Sequence, residues 1–315
     1  MSAGHDHGAH EMSDARLVWA VIVNVALTVA QIVGGAISGS LALIADALHN
    51  LNDAASLGLA LFARRVGRRP ADKLMTFGYG RAEIVAALIN LTTLIIVGLY
   101  LLAEAVSRYL DPQPIAGWTV VIVAGVALVI DVITAMLVYT GSKNNLNIKA
   151  AFLHNVSDAL ASVGVIVAGT LIILYDLYVA DLVVTVVIAS YVLYQGCSLM
   201  PRTVRLLMGA VPDDVEFDEI VEALRNTRGV RDLHHVHVWS LDEHKRALEA
   251  HLVLDDPSPH AFELVKAQVR GTLASRFSIE HATLEPCLAG EHDQDSGLIA
   301  REGSSSAEKE ARGHS

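Results

Sequence analysis

Long apolar blocks fill the first two thirds of the chain and predict membrane-spanning helices. Each block has roughly 20 residues, the length at which an α-helix crosses about 30 Å of hydrocarbon. Short segments rich in polar residues, Pro and Gly separate the blocks and are typical of turns. The six blocks cover about 17–37, 41–63, 82–108, 115–139, 151–174 and 179–200.

The pattern changes after about residue 211, where shorter periodic segments follow one another. "VPDDVEFDEIVEALRNTRG" has helical periodicity and ends at a Gly suited to a helix stop. "VRDLHHVHVWSL" and "RALEAHLVLDD" alternate like two strands, "SPHAFELVKAQVRGTLASRF" reads as a helix, and "SIEHATLEP" reads as a third strand. This αββαβ order predicts a ferredoxin-like α+β domain. The predicted fold class is therefore six transmembrane helices followed by that cytoplasmic domain.

Four regions follow from these patterns. A polar tail with His5, His7 and His10 comes first, and a polar tail rich in Ser, Glu and Gly, which we expect to be disordered, comes last. The predicted boundaries are 1–16 for the first tail, 17–207 for the transmembrane domain, 208–290 for the cytoplasmic domain and 291–315 for the last tail.

The overall composition agrees with a membrane protein. Hydrophobic residues make up 53% of the chain, and a mean hydropathy of +0.44 demands either a very large core or a bilayer. The formal net charge of −11 argues against nucleic-acid binding. Two distant cysteines indicate no disulfide framework and a reducing compartment for the soluble parts. No cleavable signal peptide is apparent.

Basic residues predict the orientation of the bundle, because positive charge concentrates in cytoplasmic loops. They fall after spans two, four and six: Arg64, Arg65, Arg68, Arg69, Lys73, Arg81, Lys143, Lys149, Arg202 and Arg205. The connections on the other side carry only Arg108. We therefore expect both termini in the cytoplasm. The short loops and compact length favour a bacterial inner membrane.

Two spans carry ionisable residues in the same spacing. "HNLND" in span two and "HNVSD" in span five each place a His and an Asp four residues apart, on one helical face. An Asp at a membrane helix centre costs roughly 2.5–3.5 kcal/mol on insertion scales, so these groups must face inward, pair or hold an ion. Span two enters from outside and span five from inside, so spacing alone leaves open whether the pairs lie at one depth.

Two imidazoles and two carboxylates suit Zn²⁺, which favours tetrahedral coordination by N, O and S atoms. The absence of sulfur argues against Cu(I), and the histidines argue against Mg²⁺ and Ca²⁺. The alternative is structural, with each His bonding a neighbouring helix and each Asp pairing with it. An intramembrane metalloenzyme and a membrane-anchored metal sensor are two further alternatives. The enzyme would need an open ligand position, and the sensor does not explain duplicated ligands in the bilayer.

Three stretches resemble the cation diffusion facilitator family of divalent metal/proton antiporters. They are "SGSLALIADALHNLNDAASL", "FGYGRAEIVAALIN" and "NLNIKAAFLHNVSDALASVGVIVAG", and the resemblance covers about residues 15–288. It implies that the two helices lie side by side, and that the transport-site ligands are His49, Asp53, His154 and Asp158. It also implies zinc preference, a cytoplasmic domain that binds metal and dimerises, and a transporter rather than an enzyme.

The chain departs from its relatives at several positions. Some members have a second metal site in the loop after span two, built from an Asp and two His; here Asp72 is accompanied by Met75 and Tyr79, so we expect no such site. Asp131 in span four is a possible proton carrier, an extra ligand or a partner of a polar neighbour. We expect Asp46 to support a neighbouring ligand or to contact a helix rather than to bind metal, and Gln31 to hydrogen-bond between helices.

Histidines occur on all three predicted strands of the soluble domain. Residues of equal parity share a face of a strand, so His281, Glu285 and Cys287 lie together. Candidate Zn²⁺ ligands here are His237, His251, His281, Glu285 and Cys287, with His234 as an alternative. His244 and His260 are expected to face solvent, and the histidines of the first tail could capture metal loosely.

The expected function is export of Zn²⁺, or of Cd²⁺, Co²⁺ or Ni²⁺, in exchange for protons by alternating access. Protons and metal compete because a His ligand must be neutral and an Asp ligand ionised to coordinate. The expected partners are divalent metal ions, protons, the lipid bilayer and a second copy of the chain. Zn²⁺ is expected as the transported ion and as a regulatory ion in the cytoplasmic domain.

Overall fold

The computed structural model describes residues 25–142, 146–242, 245–256, 258–287 and 298. Several predictions fall outside these residues: the histidine-containing tail, the start of span one, Lys143, His244 and nearly all of the tail at 291–315. The chain forms two compact units. One comprises the residues up to Leu61 together with Ile89–Met200, and the other comprises Phe62–Leu88 together with the residues from Pro201 onward.

Six helices follow one another in the described residues up to Leu207. Their bounds are α1 (Val25–Ser38), α2 (Leu41–Gly67), α3 (Ala82–Leu110), α4 (Gly117–Ser142), α5 (Leu146–Tyr175) and α6 (Val179–Leu207). Among the described residues, four segments are long and apolar enough to cross a membrane: Ala82–Leu110, Gly117–Met136, Phe152–Tyr175 and Val179–Leu207. α2 is long enough, but the polar residues between Asp46 and Asp53 lower its hydropathy. A helical membrane domain is therefore confirmed, and the count of six spans stays a prediction.

The helices extend beyond the apolar blocks that predicted them. α2 continues to Gly67 and α6 to Leu207, past Pro201. Apolar length measures how much of a helix lies in hydrocarbon, whereas the backbone hydrogen bonds that define the helix continue into water. Hydropathy therefore located these helices and underestimated their lengths.

The helical unit packs through small and branched apolar side chains. Its core includes Leu43, Leu101, Val120, Val165 and Val192, one from each helix from α2 to α6. Alanines of the same core, including Ala42, Ala105 and Ala124, are the small residues that let helix backbones approach in membrane bundles. Large exposed side chains such as those of Ile96, Val129 and Leu160 cover the outside of the helices, as expected of surfaces that face lipid.

The remaining elements form a small helix-and-sheet domain in the predicted order. They are α7 (Phe217–Arg225), β1 (Val230–Ser240), β2 (Arg246–Leu254), α8 (Pro259–Phe277) and β3 (Ile279–Cys287). The sheet order is β1-β2-β3, with β1 antiparallel and β3 parallel to β2. The described sheet has three strands, so the specific ferredoxin-like assignment stays a prediction.

Both helices of this domain contribute to its core. Ile220 and Leu224 of α7 and Leu273 of α8 are fully buried with Leu248 and Leu252 of β2. α8 begins at a conventional cap, because the Ser258 side chain accepts a hydrogen bond from the Ala261 amide at 3.3 Å and Pro259 occupies the first turn. The apolar side chains of the strands pack against these helices. The polar side chains of the same strands form the cluster described below.

Candidate metal centre

The two His-x-x-x-Asp pairs meet in the helical unit. Within α2, His49 Nε2 lies 3.6 Å from Asp53 Oδ2, and within α5, His154 Nε2 lies 3.4 Å from Asp158 Oδ2. Between the helices, the His154 Nε2 to Asp53 Oδ2 distance is 3.3 Å and the His49 Nε2 to Asp158 Oδ1 distance is 3.6 Å. Four side chains from two helices thus form one cluster.

These distances are compatible with one shared ion. Donors at about 2.0–2.2 Å from Zn²⁺ in a tetrahedron lie about 3.3–3.6 Å from one another, and the four contacts span 3.3 to 3.6 Å. Ligand atoms of His49, Asp53 and His154 also lie within 4.8 Å of one another. Within the described residues Asp158 is not in that group, because it contacts His49 through Oδ1 and His154 through Oδ2. The four contacts are longer than a good neutral hydrogen bond.

Burial differs between the two sides of the cluster. The side chains of His49 and Asp158 are 7% and 9% exposed, whereas those of Asp53 and His154 are 35% and 44% exposed. In the described part of the chain, the buried Asp53 Oδ2 makes no hydrogen bond of standard geometry, and its polar neighbours are His154 Nε2 at 3.3 Å and His49 Nε2 at 3.6 Å. Two imidazole nitrogens therefore converge on one buried carboxylate oxygen.

A hydrogen-bonded group of three residues, Gln31, Asp46 and Asn50, lies beside the cluster. Gln31 Nε2 donates to Asp46 Oδ2 at 2.6 Å, and Asn50 Nδ2 donates to Gln31 Oε1 at 3.2 Å. All three side chains are buried. The prediction of an interhelical hydrogen bond from Gln31 is confirmed. Because Asp46 and Asn50 flank His49 on α2, this group joins α1 to the helix that carries two of the candidate ligands.

Two other buried carboxylates of the helical unit have partners of their own. The Asp131 carboxylate on α4 accepts a hydrogen bond from Ser162 Oγ on α5 at 3.2 Å. The Asp181 carboxylate on α6 accepts from Ser40 Oγ at 2.5 Å and from the Leu41 amide at 2.8 Å. Asp181 therefore caps the start of α2. The sequence pattern did not suggest this role, because Asp181 and Leu41 are far apart in the chain.

The loop after α2 uses Asp72 to hold its own turn. The Asp72 carboxylate accepts hydrogen bonds from the Leu74 and Met75 amides, each at 2.8 Å, and from Tyr79 Oη at 2.7 Å. The Tyr79 hydroxyl, with these backbone amides, lowers the pKa of Asp72 below its ordinary value. The Asp72 carboxylate is thus engaged within its own turn, and the expectation that this loop holds no metal stays a prediction.

The soluble domain brings together only part of its predicted ligand set. His234 pairs with His251 across β1 and β2, and His251 pairs with Glu285 across β2 and β3. Ligand atoms of His234, His251 and Cys287 lie within 4.8 Å of one another, and His251 Nε2 lies 3.5 Å from Glu285 Oε2. Within the described ranges, His237 and His281 belong to neither metal-compatible group of this domain.

The two separated histidines have other neighbours. His281 pairs with Ala247, four residues along β2 from His251, and its ring contacts Phe77 at 5.5 Å between centroids. The ring of His237 lies 4.7 Å from that of His235. Strand parity predicts which residues share a face of the sheet but not where they lie along the strands. His281 lies too far along β3 to join His251 and Cys287. His260 is exposed, as expected.

A second group, which sequence analysis missed, consists of His235, Glu249 and His251. Its formation depends on a bulge in β1, where the register shifts between His234 and His237 and His235 has φ 53°. Strict alternation would place His235 away from His234. The run of histidines in "LHHVHVW" is the only sequence signal for this group, and it does not reveal the bulge.

These features define the class of protein as an integral membrane protein with a candidate cation site among its helices. Residues 17–208 match the family model of the cation efflux transmembrane domain, and residues 212–287 match that of the cation efflux protein cytoplasmic domain. The chain belongs to the cation efflux family. It is a divalent metal cation efflux transporter of the plasma membrane, and the family is one of transporters rather than enzymes.

Three relatives illustrate the similarity. The metal cation efflux system protein CzcD of Cupriavidus metallidurans is 37% identical over 290 residues, which cover 92% of this chain and 91% of that protein. The cadmium, cobalt and zinc/H(+)-K(+) antiporter of Bacillus subtilis is 34% identical, with coverage of 80% and 82%. The zinc transporter ZitB of Escherichia coli K12 is 33% identical, with coverage of 91% and 94%.

The similar solved structures include the metal-bound C-terminal domain of the CzcD transporter from the same Cupriavidus species. It is 31% identical, covers 24% of this chain and all of that chain, and has a TM-score of 0.22.

Proposed function

We propose that this protein exports Zn²⁺ from the cytoplasm in exchange for protons, and that His49, Asp53, His154 and Asp158 bind the ion during transport. The observation that supports this most strongly is the set of four contacts of 3.3–3.6 Å between imidazole nitrogens and carboxylate oxygens on α2 and α5. Two separate helices supply one His and one Asp each, which is more than a structural His–Asp pair requires.

The donor set favours Zn²⁺ among common divalent ions. Two imidazoles and two carboxylates suit tetrahedral Zn²⁺, whereas Mg²⁺ and Ca²⁺ prefer shells of oxygen. Co²⁺, Ni²⁺ and Cd²⁺ accept similar ligands and are further candidate substrates. The relatives support this range, since one is called a zinc transporter and another a cadmium, cobalt and zinc antiporter.

Proton exchange follows from the chemistry of the ligands. Metal coordination requires a neutral imidazole and an ionised carboxylate, so loading the site releases protons and protonation expels the metal. A site that opens alternately to the two sides of the membrane would bind metal inside and exchange it for protons outside. This scheme includes six spans, with both termini in the cytoplasm as the positive-inside rule predicts.

The soluble domain is assigned a regulatory part in this proposal. Residues 208–290 would bind cytoplasmic metal and hold two copies of the chain together as a homodimer, with the tail at 1–16 as a loose metal-capturing segment. Metal binding near His251 is supported by the two groups of ligand atoms that share this residue. Loss of these ligands should reduce the metal sensitivity of activation more than the maximal transport rate.

The test is transport by the purified protein in sealed proteoliposomes, with an imposed pH gradient and a panel of Zn²⁺, Cd²⁺, Co²⁺, Ni²⁺ and Mg²⁺. We expect Zn²⁺-dependent proton movement in the wild type and none in His49→Ala. His260→Ala is the matched control, because it removes an exposed imidazole of the soluble domain. Wild-type metal uptake by folded His49→Ala would refute the assignment of the site.

A further inference from the structure

Exposed positive charge concentrates around the loop between α2 and α3. Residues 64–81 contain one acidic residue, Asp72, and six exposed basic residues: Arg64, Arg65, Arg68, Arg69, Lys73 and Arg81. Arg81 donates a hydrogen bond to the Leu241 carbonyl oxygen at 3.3 Å. Within the described ranges, the ion pairs made by Lys and Arg involve none of the other five. Most of this charge is therefore free to bind an anionic partner.

The position of the loop in the chain places it at a bilayer surface. α3 is long and apolar enough to cross a membrane and begins at Ala82, directly after the loop. α2 ends at Gly67 and carries Arg64 and Arg65 in its last turn. Basic residues that adjoin a transmembrane helix on the cytoplasmic side are attracted to the negative headgroups of that leaflet. The nearest extended anionic surface is thus the membrane itself.

The same loop exposes large apolar side chains on an ordered turn. Leu74 is 89% exposed and Met75 is 49% exposed. The Asp72 carboxylate accepts hydrogen bonds from both of their amides, and the Gly78 amide donates to the Met75 carbonyl oxygen at 2.8 Å. Gly78 has a φ of 81°, which suits glycine and closes the turn. Apolar groups held outward in this way gain free energy when they leave water.

The soluble domain does not cover this turn. It contacts the later part of the loop, where the Phe77 ring lies 5.5 Å from the His281 ring and Arg81 bonds to Leu241. Leu74 and Met75 stay exposed in the presence of these contacts. The apolar turn and the unpaired basic side chains beside it therefore need a different partner.

We propose that residues 68–81 anchor the chain to the membrane surface by binding anionic phospholipids. Arg68 and Arg69 would bind the headgroup phosphates, because a guanidinium group donates two parallel hydrogen bonds to a phosphate. Leu74 and Met75 would enter the boundary between headgroups and acyl chains. Basic residues next to exposed apolar ones are typical of segments that lie in this interface. Free phosphate would satisfy the charges but would leave the apolar turn in water, so the turn favours lipid.

Tryptophan fluorescence of the full-length protein in nanodiscs tests the position of the turn. Phospholipids brominated on their acyl chains quench tryptophans that contact them, so Leu74→Trp should be quenched beyond the wild type, which has three tryptophans of its own. Leu264→Trp is the matched control, because Leu264 is an exposed leucine on α8 of the soluble domain. It should add no quenching. Met75→Trp is a second reporter, and thermal unfolding checks that each variant is folded.

The choice of headgroup tests the role of the basic side chains. Titration of Leu74→Trp with brominated phosphatidylglycerol and with brominated phosphatidylcholine gives the preference of the loop for anionic lipid. One basic residue near an anionic surface strengthens the attraction about fivefold, so adding Arg68→Gln/Arg69→Gln should lower this preference by about tenfold or more. Arg228→Gln/Arg231→Gln is the charge-matched control, because both arginines are exposed on the soluble domain. High salt should also weaken the preference.

Two results would overturn this inference. One is quenching in Leu74→Trp and Met75→Trp that does not exceed that in Leu264→Trp. The other is an equal response to the two headgroups that does not change with Arg68→Gln/Arg69→Gln. Neither measurement involves metal or transport, so the anchoring loop can fail while vesicle transport through His49 succeeds, and the reverse can also occur.

Discussion

His49 on α2 and Asp158 on α5 lie 3.6 Å apart, measured from Nε2 to Oδ1, and both side chains are buried. This contact crosses between helices, whereas the four-residue spacing in each helix explains only the pairs within a helix. A buried imidazole and carboxylate in an apolar unit need a proton or a cation to balance their charge. The contact therefore joins the polar residues of the two helices in one cluster.

Breaking the hydrogen bond between Gln31 and Asp46 should destabilise the helical unit. Gln31→Leu removes the donor to a carboxylate that is 1% exposed, and an unpaired buried acceptor costs about 1–3 kcal/mol. The measurement is chemical unfolding of the detergent-solubilised protein, followed by helical circular dichroism.

A double-mutant cycle separates this contact from general packing. Because replacing both partners with apolar side chains can be nearly neutral, Gln31→Leu/Asp46→Leu should cost less than the sum of the two single variants. Strict additivity of the free-energy changes would show that the two side chains do not interact.

Removing the charge of Asp181 should weaken the start of α2. Its carboxylate accepts hydrogen bonds from Ser40 Oγ and from the Leu41 and Ala42 amides. In Asp181→Asn the amide nitrogen cannot accept, so we expect a loss of about 1–3 kcal/mol in the free energy of unfolding. Asp176→Asn is the control, because Asp176 is exposed and Asn tolerates its φ of 52°. Equal stability of the two variants would contradict the capping role.

Close packing of α4 on α5 depends on glycine at the start of α4. A Cβ on Gly117 would lie 2.9 Å from the Gly169 carbonyl oxygen and 2.7 Å from Ile173 Cγ1. Gly117→Ala should therefore force the helices apart at a cost of about 1–3 kcal/mol, measured as a lower unfolding temperature.

Gly125→Ala provides the comparison within the same helix. A Cβ at Gly125 meets nothing within 4 Å, and alanine is the better helix former by up to about 1 kcal/mol. We expect this variant to be neutral or more stable. A loss of stability as large as that of Gly117→Ala would argue against specific contact at Gly117.

The pKa of Asp72 should depend on Tyr79. The hydrogen bond from the Tyr79 hydroxyl is the largest cause of the lowered pKa, ahead of the two backbone amides. A lowered folded-state pKa means that Asp72 stabilises its turn above the ordinary pKa of aspartate, and that this contribution disappears as pH falls through the lowered value.

Tyr79→Phe should raise the pKa of Asp72 towards its ordinary value without restoring it fully, since the Leu74 and Met75 amides still donate. Carbon NMR of labelled aspartate in the solubilised protein measures the change. Tyr100→Phe alters an exposed tyrosine on α3 and should leave this titration where it is. If the pKa of Asp72 is unchanged in Tyr79→Phe, the Tyr79 hydroxyl does not donate a hydrogen bond to the Asp72 carboxylate.

Local patterns predicted the helices, the strands and the pairing within each His-x-x-x-Asp motif, because these depend on periods of two and 3.6 residues. They could not predict contacts between distant segments. Asp181 caps a helix that begins 140 residues earlier in the chain, and no periodic signal connects the two positions. The depth at which the α2 and α5 pairs meet was likewise open from spacing alone.

The soluble domain shows a second kind of limit. Strand parity grouped His281 with Glu285 and Cys287, yet position along the sheet puts His281 beside Phe77 instead. One bulge at His235 was enough to change which histidines surround His251. Such irregularities reflect the balance of backbone strain and side-chain contacts, which a pattern of polar and apolar residues does not record.

Anomalous diffraction at the zinc absorption edge, from crystals of the full-length protein grown with Zn²⁺, tests the central claim most directly. We predict a peak among the helices at about 2.0–2.2 Å from each of four ligands: His49, Asp53, His154 and Asp158. A peak only in the soluble domain, with those four side chains turned away from one another, would contradict it.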